Sequence, residues 1–181
     1  MEGEAPGPGS DCAGLSLKAQ IESLLFVASE PVTGDRLAAA LQAGSEQVAE
    51  ALKSLEQEYA ERGFRLQRKG ERVQLVTAPE AAEAVRTFLG LEVSSKLSPA
   101  ALETLAIVAY RQPVTRSEIE LVRGVSSDSV LRTLVSRGLV EEQGRLEQAG
   151  RPIIYGTTFE FLQQFGLYSL EQLPPLALPE P

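Results

Sequence analysis

Histidine is absent from the 181 residues, and cysteine occurs once, as Cys12. Without histidine the chain lacks the commonest general base and the commonest metal ligand. A zinc site needs several Cys or His ligands. One thiol can neither supply such a site nor close an internal disulfide, which agrees with a cytoplasmic protein. No run of about 18 apolar residues occurs, so no membrane span is expected. The N-terminus has no basic start followed by an apolar core, so no secretory signal is expected. Neither a G-x-x-x-x-G-K-[ST] loop nor a G-x-G-x-x-G fingerprint is present. Carboxylate or Ser/Lys chemistry remains open, but no residue pattern marks a place for it. The expectation is a protein without enzymatic activity, metal or cofactor.

A basic excess is missing too. The formal net charge is −8, which argues against tight non-specific binding to DNA. The hydrophobic fraction of 43% is that of an ordinary globular chain, and the length allows one or two small domains.

What is present is clearest in residues 97–166. Ser98 can cap a helix with Pro99 in its first turn, and Leu102, Leu105, Ala106 and Ala109 follow at helical spacing. Gln112-Pro113 stops that helix. Thr115-Arg116-Ser117-Glu118 is a capping box for a second helix, which runs to Arg123 and breaks at Gly124. Ser126 caps a third, with Asp128 in its first turn, a buried stripe of Val130, Leu131, Leu134 and Val135, and Gly138 at its end. Strands at Leu139–Gln143 and Pro152–Gly156 flank a glycine-containing hairpin. Thr157-Thr158-Phe159-Glu160 then opens a closing helix. This order is a winged helix-turn-helix.

Residues 15–90 repeat it. Leu17, Ile21, Leu24, Leu25 and Ala28 mark a first helix, and Thr33 caps a second that ends near Leu41. Ser45 opens a third, with the stripe Val48, Ala51, Leu52, Leu55 and Tyr59, ended by Gly63. Phe64–Arg68 and Arg72–Val76 form a hairpin around Gly70, and Thr77-Ala78-Pro79-Glu80 is a capping box for a helix ending near Gly90. Thr33, Ser45 and Thr77 match Thr115, Ser126 and Thr157 at offsets of 82, 81 and 80 residues. The expected class is mainly α with small β wings (α+β), as two tandem winged helix-turn-helix domains. The alternative is two unrelated small units whose caps coincide. The expected boundaries are a disordered tail at 1–14, a first domain at 15–90, a linker at 91–96, a second domain at 97–166 and a Pro-rich tail at 167–181.

A winged helix invites a DNA-binding reading, but fold is not function. The third helix would enter the major groove. In the first unit its outward side chains are Glu46, Gln47, Glu50, Lys53, Gln57, Glu58 and Glu61, an acidic face. In the second they are Ser127, Asp128, Arg132, Thr133, Ser136 and Arg137. Arg132 can bond a guanine edge, or pair with Asp128 four residues earlier. Between Leu97 and Gly166 seven arginines oppose eight acidic residues, which leaves no basic stripe. Sequence-specific DNA binding, as in a transcription regulator, is therefore the second reading. The apolar stretches Leu24–Ala28 and Leu105–Tyr110 instead need burial on more than one side. Phe26 and Val27 meet another subunit, the other domain, or their own unit's wing and closing helix. Arg151 either pairs with a carboxylate such as Glu142 or Glu103, or serves recognition from the wing.

Glu103 to Tyr110, Gln112 to Arg116, Arg123-Gly124-Val125, Ser127-Asp128, Gly150-Arg151-Pro152 and Tyr155 to Thr158 together resemble one family, segregation and condensation protein B (ScpB), an accessory subunit of bacterial condensin. The resemblance spans roughly Leu15 to Leu167. It implies a homodimer built on the N-terminal winged helices, which assigns Phe26 and Val27 to dimerisation. It also implies the kleisin ScpA as partner, the SMC ATPase within the larger complex, and a role in chromosome condensation and segregation at the nucleoid. The matching motifs are densest in the second unit. Their exposed positions are the expected partner-binding residues: Arg111, Gln112, Arg123, Ser127, Arg145 and Arg151.

Overall fold

A computed structural model describes residues 14–90 and 96–176. The tail reading for 1–13, with Cys12, the linker reading for 91–95 and the end of the Pro-rich tail at 177–181 lie outside the described residues. The chain divides into two compact units, Met1–Ala78 and Pro79–Pro181. The division falls before the helix expected to close the first domain.

In the first unit, α1 (Leu17–Val27) is capped by Ser16, whose Oγ accepts from the Ala19 N–H. Strand β1 (Val32–Thr33) leads to α2 (Gly34–Leu41), with Thr33 as N-cap as expected. Helix α3 (Ser45–Glu58) buries Val48, Ala51, Leu52 and Leu55, with Tyr59 buried just past its end. Its five-residue stripe was legible because the apolar spacing follows one helical face. The helix stops at Glu58 rather than Gly63. Beyond it the buried Arg65 guanidinium donates to the carbonyls of Tyr59 and Phe64, both at 2.8 Å, and to that of Arg62, so a cation satisfies the chain at the negative end of the helix. Strands β2 (Phe64–Lys69) and β3 (Arg72–Thr77) form the wing, and β1 adds to it antiparallel, giving the order β1-β3-β2.

The core of this unit gathers Ile21, Leu25, Val32, Leu37, Leu52, Leu55, Leu66 and Val73. Tyr59 seals one edge by donating its hydroxyl to Glu22 at 2.6 Å. Burial, and then that carboxylate, hold its phenol well above the usual tyrosine range, so it stays a proton donor.

The second unit begins with a 3-10 turn (Pro79–Ala81) and α4 (Ala82–Leu89). The Thr77 capping box does not form: Ala81 is the N-cap and has no side chain to accept. Pro79 disfavours helical backbone at Ala78, so Thr77 stays in the strand. Gly90 ends the helix at φ +63°.

Helix α5 (Pro99–Arg111) has the expected Ser98 cap and Pro99 at its start. Its buried face is Ala101, Thr104, Leu105, Val108 and Ala109, while Leu102 and Ala106 are exposed, contrary to the stripe read from spacing. The true face is offset by one residue because Thr104 turns its hydroxyl to the Ala100 carbonyl and so can lie buried. Strand β4 (Val114–Thr115) precedes α6 (Arg116–Arg123). The capping box of α6 forms as expected: Glu118 accepts from the Thr115 N–H and hydroxyl, both at 2.7 Å. Those backbone and side-chain bonds hold the Glu118 carboxyl below its ordinary value.

Helix α7 (Asp128–Ser136) is the third of the motif, and β5 (Val140–Arg145) and β6 (Ile153–Thr157) form the wing, ordered β4-β6-β5. In α7 only Leu131 and Leu134 are buried; Val130 packs at the core edge and Val135 is exposed, so the four-residue stripe narrows to two. Helix α8 (Phe159–Gln164) closes the unit with Phe159, Phe161 and Leu162 in the core. Its N-cap is Thr158, not Thr157: the Thr158 Oγ accepts from the Phe161 N–H at 3.0 Å. Thr157 is the last residue of β6 and is fully buried.

The chain after Gly166 is not wholly free. Leu167, Leu170 and Leu173 pack against the same core, around a second 3-10 turn (Leu170–Gln172), and Tyr110 donates its hydroxyl to the Pro174 carbonyl at 2.6 Å. Proline forbids helix here but not a docked extended strap, so Tyr110 near the end of α5 finds a partner within the unit, while Leu102 and Ala106 stay exposed.

Candidate interaction surfaces

The helix-turn-helix of the second unit is locked from inside. The Arg123 side chain is only 6% exposed and donates from Nε to Glu103 at 3.0 Å. Its guanidinium also reaches the Ser127 Oγ at 3.0 Å and the Ser126 carbonyl at 3.4 Å. Glu120 accepts from the Ser127 N–H at 3.0 Å and the Ser126 hydroxyl at 3.2 Å. Ser126 therefore does not cap α7. Ser127 holds the N-cap position, makes no side-chain cap bond, and is fully buried. The Glu120 carboxylate does the work of the cap at the positive end of the helix.

Gln112 is equally committed. Its Oε1 accepts from the Thr157 N–H at 2.8 Å and the Thr157 hydroxyl at 3.1 Å, while its Nε2 donates to Ala109 at 3.0 Å. The side chain stitches the end of α5 to β6. The signal for it was the long gap to Thr157, which no local pattern carries.

The outward face of α7 holds its own ion pairs. Arg132 pairs with Asp128, as the i,i+4 spacing allowed, and Asp128 also receives Arg116 at 3.2 Å. Arg116 lies 3.8 Å from Glu120 as well. The cations nearest the groove-reading position are thus already neutralised. In the first unit Glu46, Gln47, Glu50, Lys53, Gln57, Glu58 and Glu61 are all exposed, as read. Glu58 is paired with Lys18, whose hydrogen bond keeps its carboxyl below the ordinary value.

The remaining expected residues lie on the surface. Arg111 is exposed at the last turn of α5. Arg145 and Arg151 are exposed on the wing, 3.2 Å apart from Arg145 Nη1 to the Arg151 carbonyl. The Arg151 N–H donates to the Gln148 carbonyl at 2.8 Å and its φ is +37°. Arg151 makes no ion pair among the described residues: Glu103 is taken by Arg123. A non-glycine residue in this left-handed region follows Gly150, at φ +83°, so the pair makes a sharp reversal of the chain at which Arg151 is exposed.

Phe26 is 81% exposed and Val27 75% exposed. Their own wing does not cover them, which removes that alternative. Beside them Leu24, Val27, Ala28, Val32, Leu37 and Ala40 contribute to a cavity of ≈ 330 Å³. Spacing gave no sign of a further exposed apolar group at the helix-turn-helix, Leu121 (84%), Val122 (43%) and Val125 (56%). Only their failure to share the Ile119 face could have shown it. No helix among the described residues is long and apolar enough to cross a membrane.

The model of the family "Segregation and condensation complex subunit ScpB" matches residues 19–176. The chain belongs to the ScpB family. Segregation and condensation protein B of Moorella thermoacetica is 52% identical over 163 residues, covering 89% of this chain and 83% of that protein. The crystal structure of ScpB from Mycobacterium tuberculosis is 41% identical and covers 86% of this chain and 99% of that one, at a TM-score of 0.41. A solved dimer of the ScpB N-terminal domain complexed with ScpA peptide is 28% identical and covers 39% of this chain and 91% of that one, at a TM-score of 0.37.

Proposed function

We propose that this ScpB-family chain is a non-enzymatic adaptor of bacterial condensin. Two copies, joined through the first winged-helix unit, hold the kleisin ScpA mainly through the second and so join the SMC ATPase. The work is chromosome condensation and segregation, in the cytoplasm at the nucleoid. One observation favours an adaptor over a DNA reader. Arg132 of α7 is spent on Asp128 and Arg116 of α6 on Asp128 and Glu120, while Phe26 and Val27 stand bare. Protein contacts bury apolar side chains, whereas DNA contacts need free cations.

Among the six expected partner-binding residues, Gln112, Arg123 and Ser127 act inside the unit. Arg111, Arg145 and Arg151 are the ones we assign to the partner. A planar guanidinium suits a carboxylate or an aromatic ring on an extended segment. Arg151 gives the sharpest test. Changing Arg151→Gly removes the side chain and relaxes the positive φ, which costs a non-glycine residue of order 1 kcal/mol. The variant should melt at or slightly above the wild-type temperature while its affinity for ScpA falls about tenfold. Unchanged affinity in calorimetric titration removes Arg151 from the interface.

Duplex DNA provides the second test. The protein should bind it only weakly at physiological salt, without sequence preference. A specific site held in the nanomolar range usual for DNA readers, with a steep salt dependence, would replace the adaptor by a regulator.

A further inference from the structure

Two openings of the first unit meet at the start of α2. One is the cavity of ≈ 330 Å³, whose apolar walls include Leu24, Ala28, Val32, Leu37 and Ala40. Ligand pockets run from about 300 to 1,000 Å³, so this one suits one or two apolar side chains. The other is a cleft of ≈ 490 Å³ lined by Glu30, Pro31, Thr33, Arg36 and Arg72. Glu30, Val32 and Arg36 line both, so the two form one groove. Its charges are uncompensated. Lys18 and Arg68 of the same unit pair with Glu58 and Glu56, and Arg65 is spent on carbonyls. The guanidiniums of Arg36 and Arg72 have no partner among the described residues, and both are exposed. Two cations against the single carboxylate of Glu30 leave the cleft positive in a chain of net charge −8.

We propose that this groove docks an extended acidic segment of another protein, with an apolar side chain in the cavity and a neighbouring carboxylate between Arg36 and Arg72. Like charges beside one cleft repel each other, and a carboxylate relieves both while accepting paired N–H donors from a guanidinium. The apolar walls supply the anchor that a charge pair in water lacks. Strand β1 favours an extended segment over a compact ligand. It is the outermost strand of the order β1-β3-β2, its residues Val32 and Thr33 line the groove, and a sheet edge accepts an added strand. The groove contains none of the arginines assigned to ScpA. It shares Val27 with the surface assigned to the dimer, but not Phe26.

The probe is a short blocked peptide alternating glutamate with leucine, titrated into the full chain and followed by amide NMR shifts. The shifts should cluster at residues 24–40 and at Arg72. The same peptide with glutamine for glutamate should bind at least ~10-fold more weakly. Arg36→Glu with Arg72→Glu should lose the acidic peptide by at least ~30-fold and bind a lysine-leucine version instead. A fold defect cannot produce that reversal of preference. Ala40→Phe, on the exposed side of α2, should fill the cavity and abolish binding of every version, with circular dichroism unchanged. Equal binding of the glutamate and glutamine peptides, shifts outside the groove, or no binding at millimolar peptide overturns the proposal. Protection of residues 24–40 that rises with protein concentration and bars the peptide gives the groove to a second copy and overturns it as well. Each of these outcomes leaves the ScpA assignment of Arg111, Arg145 and Arg151 standing.

Discussion

Changing Phe26→Glu and Val27→Glu together should leave a folded chain that no longer dimerises. Both side chains are already in solvent in the single chain, at 81% and 75% exposure. Two new carboxylates there cost the isolated fold little. The residues that carry the core from the same helix, Ile21 and Leu25, are untouched. In a dimer the change places four carboxylates across a twofold contact. Burying an unpaired charge is far costlier than losing an apolar contact, and like charges in a dry contact repel strongly. The dissociation constant should rise on the order of a thousandfold, about 4 kcal/mol. Light scattering should read one chain where the wild type reads two, with circular dichroism unchanged. A double variant that keeps the wild-type mass at matched concentration places the dimer contact elsewhere.

Which parts of the architecture could be read in advance follows from how local their causes are. Thr33, Ser98 and Thr115 were legible as caps because a cap is a contact over three residues, and each accepts the expected N–H. The stripe of α3 was legible because a long amphipathic helix repeats its pattern. The two-residue strands β1 and β4 were not, since two residues carry no period; they exist because β3 and β6 offer them a free edge. Ser126 and Ser127 show the limit for caps. Either serine fits the pattern, and the choice is made by Glu120 and Arg123, which reach them from the preceding helix.

The surfaces divide along the same line. Phe26 and Val27 could be marked because an apolar pair on the wrong side of a helix is a one-dimensional signal. The exposed group Leu121, Val122 and Val125 could not, because nothing marks it in the sequence except its failure to share the Ile119 face. The arginines split by geometry rather than by motif. Arg123 and Arg151 sit in equally conspicuous sequence contexts, yet one guanidinium is nearly sealed and the other leaves the wing unpaired among the described residues.

That difference predicts the second large effect. Arg123→Ala should lower the stability of the second unit by about 2 kcal/mol, roughly 10 °C in melting temperature for a unit of this size. The loss has three parts. The buried Ser127 hydroxyl loses its donor, and a buried group without its partner carries a full desolvation penalty. Glu103 loses its ion pair but stays half exposed at 54%, so water compensates most of that term. The Arg123 stem leaves a gap between α5 and α6, because its methylenes pack even where its charge does not. Glu103→Ala should consequently cost less than Arg123→Ala. The double variant should cost little more than Arg123→Ala alone, the sign of a shared interaction. Binding of ScpA by Arg123→Ala should follow the fraction of folded protein, and be nearly normal well below the melting temperature. If Arg123→Ala melts with the wild type and still fails to bind ScpA, the guanidinium acts on the partner, and its place in the lock between α5, α6 and α7 is only incidental.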